Sequence, residues 1–132
     1  MGSPDKVAGK KAKVLVVDDD QTMTQLLSTL LGMEGYQVAT IQDWARVLDT
    51  VQHERPDIVI MDRFLPQSDG IELVKGIRSD PSTTSMKILM TSGMDTEELC
   101  LQAGADAFLL KPYSPDQLLE ILQTYLSGTQ RV

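Results

Sequence analysis

A chain of 132 residues, 42% hydrophobic and 23% charged, suits one globular domain whose core needs no metal or disulfide staples; its single cysteine, Cys100, excludes an intrachain disulfide. The formal net charge of −7 argues against nucleic-acid binding by this domain. No apolar run approaches the ~20 residues of a membrane span, and Met1 to Lys13 carries Lys6, Lys10, Lys11 and Lys13 with no apolar centre, so it is not a signal peptide.

Residues 1–12 read as a flexible arm, 13–127 as the folded domain and 128–132 as a tail or linker stub. Val14-Leu15-Val16-Val17 is a continuous β-branched run, as expected of a strand covered on both faces. Met23, Leu26, Leu27, Leu30 and Leu31 then recur with helical period, and Gly35 marks the stop. Tyr36 to Thr40 reads as a second strand. Trp44, Val47, Leu48 and Val51 stripe a second helix, with Asp43 as its cap and Pro56 as its breaker. His53 falls near the end of that helix, away from the strand ends where a site would form, and reads as a solvated helix-end residue.

Asp57 to Met61 is a third strand, followed by a helix striped by Ile71, Val74 and Ile77 and a polar loop over 79–85. Lys87 to Met90 is the fourth strand. Asp95 is placed to cap a short helix reaching Ala103, which Gly104 ends and which holds Cys100 as a small buried residue. Ala107 to Leu110 is the fifth strand. Ser114-Pro115-Asp116-Gln117 opens the last helix with a capping box, its inner face formed by Leu118, Leu119, Leu122, Tyr125 and Leu126 and its end by Gly128. Five strands alternating with five helices imply an α/β fold, a parallel sheet covered on both faces.

In such sheets, sites form beyond the carboxyl ends of the strands. There the sequence places Asp18-Asp19-Asp20, Asp62, Thr91-Ser92-Gly93 and Lys111-Pro112, while Thr40 after the second strand is uninvolved. Taken singly, Asp18 and Asp20 read as helix caps, Thr91 as a loop cap and Lys111-Pro112 as a turn. Gathered on one sheet edge, they read differently. Clustered carboxylates need a cation, and a hard divalent ion such as magnesium suits oxygen ligands. A lysine and a hydroxyl beside them suit a tetrahedral oxyanion, and a carboxylate can accept a phosphoryl group as nucleophile.

These motifs, in this order, resemble the receiver domain of two-component response regulators, of the chemotaxis-regulator type. Val14 to Asp20 resembles the opening strand and acidic pair, and Ile58 to Asp62 the acceptor strand. Leu65-Pro66 with Asp69-Gly70 resembles the loop after it, Leu89 to Ser92 the switch strand, and Ala103 to Tyr113 the closing segment. The resemblance implies a flavodoxin-like, doubly wound fold in a cytoplasmic signalling domain that is not an enzyme acting on other molecules. It further implies Asp62 as phosphoacceptor and magnesium held by Asp18, Asp19, Asp62 and the Phe64 carbonyl. Asp18 would act through metal-bound water. Thr91 and Lys111 would contact the phosphoryl group, and Phe108 would rotate as Thr91 moves. The donor would be a histidine kinase or a histidine phosphotransfer protein, and the output an unidentified domain or docking partner. Met1-Gly2-Ser3 and the short end favour a piece of a longer protein over a single-domain regulator.

Three departures from the family carry expectations. Phe64, two positions past the acceptor, is bulky and apolar and is expected to hinder water and prolong the phosphoryl state. Lys111 follows Thr91 by only 20 positions, so the fourth helix is expected to be short or irregular. Glu97, Glu98 and Glu120 find little basic complement, so a salt-bridged dimer is not expected. Two other readings stay open. Asp18-Asp19-Asp20-Gln21-Thr22 fits a haloacid-dehalogenase-like phosphatase with Asp18 as nucleophile and Asp20 as acid/base, which leaves Asp62 without a role. A non-phosphorylated interaction module of the same fold would do without the acceptor or the lysine.

Overall fold

The computed structural model describes residues 12–127; the basic arm, including Lys6, Lys10 and Lys11, and the tail with Gly128 lie outside the described residues. The elements run β1 (Lys13–Val17), α1 (Gln21–Met33), β2 (Gln37–Ile41), a 3-10 turn (Trp44–Arg46), α2 (Val47–Glu54), β3 (Ile58–Asp62), β4 (Phe64–Leu65), β5 (Ser68–Asp69), α3 (Gly70–Ser79), β6 (Lys87–Ser92), α4 (Glu97–Ala103), β7 (Ala107–Leu110) and α5 (Pro115–Leu126). The large sheet is parallel, in the order β2-β1-β3-β6-β7. The two-residue strands β4 and β5 pair antiparallel as a separate hairpin.

Side-chain alternation along the strands divides the core into two layers. Leu15, Val17, Val59, Met61, Ile88 and Met90 face α2, α3 and α4 through Val47, Val51, Val74, Ile77 and Cys100. Val14, Val16, Ile58, Ile60 and Leu89 face α1 and α5 through Leu27, Leu31, Leu118, Leu122 and Leu126. Both faces are apolar, which is why these strands carry unbroken apolar runs. The chain leaves β1 toward β2 on one side and β3 on the other, so the crevice beyond β1 and β3 is the topological switch point.

Several helices differ in detail from their sequence patterns. On α1 the buried positions are Thr24, Leu27 and Leu31, while Leu26 is 59% exposed. Thr24 tolerates burial because its hydroxyl donates to the carbonyls of Asp20 and Gln21, both at 3.0 Å. Asp43 makes no side-chain cap; its carbonyl instead accepts from Arg46 N–H at 3.0 Å, so the first turn is 3-10 and α2 begins at Val47. Leu48 is exposed. Thr96 occupies the cap position of α4 without a side-chain cap bond, and Asp95 Oδ1 instead accepts from Glu97 N–H at 3.4 Å; α4 is a single seven-residue helix, short as its spacing implied. The capping box of α5 forms as read: Ser114 Oγ accepts from Gln117 N–H at 3.2 Å and Gln117 Oε1 accepts from Ser114 N–H at 2.8 Å.

Candidate phosphoacceptor site

Each polar residue of the site sits at a strand end. Asp18 follows β1, and Asp62 is the last residue of β3, one step beyond the Val17–Met61 register pair. Thr91 lies on β6 directly across from Asp62. Lys111 follows β7, its N–H donating to the Ser92 carbonyl at 2.8 Å, and the Lys111–Pro112 peptide is cis.

One carboxylate oxygen from each of Asp18, Asp19 and Asp62 lies within 4.8 Å of the other two. The Lys111 ammonium donates to Asp18 Oδ2 at 2.9 Å and to Asp62 Oδ2 at 3.3 Å. Asp18 Oδ1 accepts from Asp20 N–H at 2.9 Å, so both of its oxygens are engaged. Asp20 itself points away: its Oδ1 accepts from Met23 N–H at 3.0 Å and caps α1. The phosphatase reading, with Asp20 as acid/base beside Asp18, is not favoured by that arrangement, and Asp62 joins the cluster that reading leaves it out of.

Burial pushes the Asp62 pKa up to about 6; the Lys111 charge opposes this, the Asp18 charge adds to it, and the Lys111 bond and the Phe64 backbone N–H favour the ionised form. Burial alone would lower the Lys111 pKa, but its bonds to Asp18 and the charges of Asp18 and Asp62 outweigh that and hold it above its ordinary value. Lys111 pairs with Asp18 and Asp62, one positive charge beside three clustered carboxylates, which leaves negative charge and an all-oxygen donor set suited to a hard divalent cation. The Thr91 hydroxyl is buried and has no hydrogen-bond partner, an unusual state for a buried donor.

Phe64 and Phe108 flank this centre differently. The Phe64 side chain is 48% exposed, with the Arg63 guanidinium 4.6 Å from the ring centroid. Phe108 is partly buried on β7, against the layer that contains Met90 and Cys100, and pairs in register with Met90 beside Thr91. Gly70, singled out in the sequence only as part of a loop motif, packs on the Asp62 backbone: a Cβ there would stand 2.2 Å from the Asp62 carbonyl oxygen. A glycine in the first turn of a helix, just after a capping Asp69, was the sequence signal for such a close approach.

A family model for the response regulator receiver domain matches residues 14–123. The DNA-binding response regulator MtrA of Mycobacterium tuberculosis is 34% identical over 111 residues, 83% of this chain and 48% of that protein. The chain thus spans about half the length of the curated relatives it matches. The chemotaxis protein CheY4 of Vibrio cholerae superposes with a TM-score of 0.81 at 35% identity, covering 88% of this chain and 99% of that one. The receiver domain of the sensor histidine kinase PA1611 of Pseudomonas aeruginosa, solved with a magnesium ion coordinated in its active-site cleft, has a TM-score of 0.80 at 27% identity over 89% of this chain and 98% of that one.

These relatives correct one expectation. The net charge of −7 was read as setting nucleic acid aside, yet MtrA is a DNA-binding response regulator. The charge of one domain reports on that domain's surface and says nothing of a DNA-reading segment carried elsewhere in the same protein. Among the described residues no helix is long and apolar enough to cross a membrane. The chain belongs to the receiver domains of two-component response regulators.

Proposed function

We propose that Asp62 is the phosphoacceptor of this receiver domain, taking a phosphoryl group from a phosphohistidine of a kinase or phosphotransfer protein. The observation that carries this is the pairing of Asp62 with Thr91: a buried carboxylate at a strand end, opposite a buried hydroxyl that lacks a partner. Asp18 is the weaker nucleophile candidate because it is Asp62 that stands in register across from Thr91. In the transfer a carboxylate oxygen of Asp62 attacks phosphorus, and the bond from phosphorus to the donor nitrogen breaks. Lys111 pairs with a phosphoryl oxygen, and the Thr91 hydroxyl donates to another. Phe108, beside Thr91, follows its movement and carries the change to the surface of β7.

Asp18, Asp19, Asp62 and the Phe64 carbonyl would hold magnesium, which when bound offsets the negative charge gathered on the phosphoryl oxygens. The charge of the cluster and its oxygen donors support this assignment, as does the magnesium in the PA1611 receiver domain. We place the domain boundaries at residues 13 and 127 and its setting in the cytoplasm. Its only chemistry is its own phosphorylation and dephosphorylation. Nucleic acid belongs among the outputs such a switch can serve, as the name of MtrA says of that protein. The test is incubation with a small phosphodonor and magnesium, with the adduct located by peptide mapping. An acyl phosphate on Asp62 is expected, and one on Asp18 would restore the phosphatase reading.

A further inference from the structure

The segments that follow β2 and β3 enclose a groove of about 620 Å³, walled by the 3-10 turn, α2, the β4–β5 hairpin and α3. None of Asp18, Asp19, Asp62, Thr91 and Lys111 lines it, and neither does any residue of α4, β7 or α5. Its apolar surface comes from Trp44, Leu48, Pro66 and Leu73. Trp44 and Leu73 are partly buried against the core layer under α2 and α3. Leu48 is 40% exposed and rests on Gly76 of α3, where a Cβ would stand 3.1 Å from its Cδ1. The groove is thus built on the scaffold and keeps apolar surface in water.

Two of its residues are in states that folding alone does not explain. Asp43 is the one charged residue that lines the groove. Read from sequence as the cap of α2, it makes no side-chain cap bond, and among the described residues it forms no ion pair. Gln67 holds a left-handed backbone, with φ 58°, in the two-residue loop between β4 and β5. After a proline, that loop position favours glycine or asparagine. A longer side chain kept there is strain of the kind that gathers at binding sites.

A bare carboxylate next to an indole is the chemistry that takes a guanidinium. The planar cation stacks on the ring while its N–H groups pair with the carboxylate. The net charge of −7 draws a cationic partner from longer range. The groove is larger than one arginine side chain fills, and its volume falls in the range of sites that take a short segment.

We propose that this groove is a docking site for an extended segment of a partner protein in which an arginine is flanked by apolar side chains. Asp43 and Trp44 take the guanidinium, Leu48, Pro66 and Leu73 take its apolar neighbours, and Gln67 contacts the segment at the rim. The inference does not depend on which aspartate accepts the phosphoryl group.

Trp44 is the only tryptophan of the chain, so its indole N–H resonance reports on the groove directly. The full protein, isotope-labelled for NMR, is titrated to millimolar concentration with the blocked peptide acetyl-Leu-Arg-Leu-amide, with the same peptide carrying glutamate in place of arginine, and with blocked arginine alone. A saturable shift of the indole resonance is expected with the arginine peptide, none with the glutamate peptide and a weaker one with blocked arginine. Asp43→Asn is expected to weaken the arginine peptide about two- to five-fold. Gln67→Gly, which relieves the backbone strain, is expected to melt at or above wild type and yet to bind more weakly. Equal shifts with the arginine and glutamate peptides, or no shift with either, would overturn the proposal. So would an Asp43→Asn protein that binds as tightly as wild type. Blocked arginine binding as tightly as the peptide would reduce the groove to a site for a single cation and would overturn the docking of a segment.

Discussion

Gly70 lies so close to Asp62 that no side chain fits between them; a Cβ on Gly70 would stand 2.2 Å from the Asp62 carbonyl oxygen and 3.1 Å from the Arg63 Cα. Both obstacles are backbone, so no rotamer change relieves the clash. Gly70→Ala is expected to lower stability by about 1–3 kcal/mol, the usual range for overpacking. It should also slow phosphorylation, because the strain falls on the acceptor strand. Thermal melts and adduct formation with acetyl phosphate check the two effects. A variant that melts like wild type would show that α3 shifts freely at its start.

Asp62 makes the metal-free fold pH-sensitive. Its pKa stands at about 6 in the folded chain, above the ordinary carboxylate value of 3.8. The folded state therefore holds its proton more tightly than the unfolded state between these values, and stability falls as pH rises from about 4 to about 6. Above that window the ionised carboxylate destabilises the fold, by up to about 3 kcal/mol before solvent screening reduces it. Asp62→Asn is expected to melt above wild type at pH 7.5 without metal, with the gap closing toward pH 4. Magnesium should raise the wild-type melting temperature more than that of the variant. Melting curves across this range in chelator and in magnesium provide the check.

Thr91 is a buried hydroxyl without a partner, which removal of one atom group can test. Thr91→Val has nearly the same shape and leaves no donor to satisfy. It is expected to leave the unphosphorylated protein as stable as wild type, or up to about 1 kcal/mol more stable. The response to phosphorylation should be lost. Hydrogen–deuterium exchange over β7, which carries Phe108, is expected to change on phosphorylation in wild type and to stay still in the variant.

Phe64 offers a direct test of the bulk expected to shield the acyl phosphate. Phe64→Asn replaces an exposed apolar ring by a small amide able to orient water. Loss of the phosphoryl group is expected to be faster in the variant, by intact mass after donor removal. Equal or slower loss would show that the ring does not shield the bond.

Much of this architecture was legible because buried parallel strands are written as continuous apolar runs. Val14 to Val17 and Ile58 to Met61 are fully buried, and the first polar residue after each run marks the sheet edge. That is why Asp18, Asp62 and Lys111 could be brought together from sequence, and the ion pairs of Lys111 with both aspartates join them in space. Helix rotation was less legible. Five apolar residues on α1 leave its azimuth open by about one residue, or roughly 100°, and Thr24 takes the inner position while Leu26 faces solvent. The hairpin of β4 and β5, the stacking of the Arg63 guanidinium on the Phe64 ring and the contact of Gly70 with Asp62 were not legible, because each depends on distances in the folded chain that residue type does not encode.

The most direct measurement is the intact mass of the protein after incubation with acetyl phosphate and magnesium, set beside the same incubation in chelator and with Asp62→Asn. One phosphoryl adduct per chain is expected in wild type with magnesium, with little in chelator and none in Asp62→Asn. An adduct that persists in Asp62→Asn would contradict the assignment of the acceptor to this strand end.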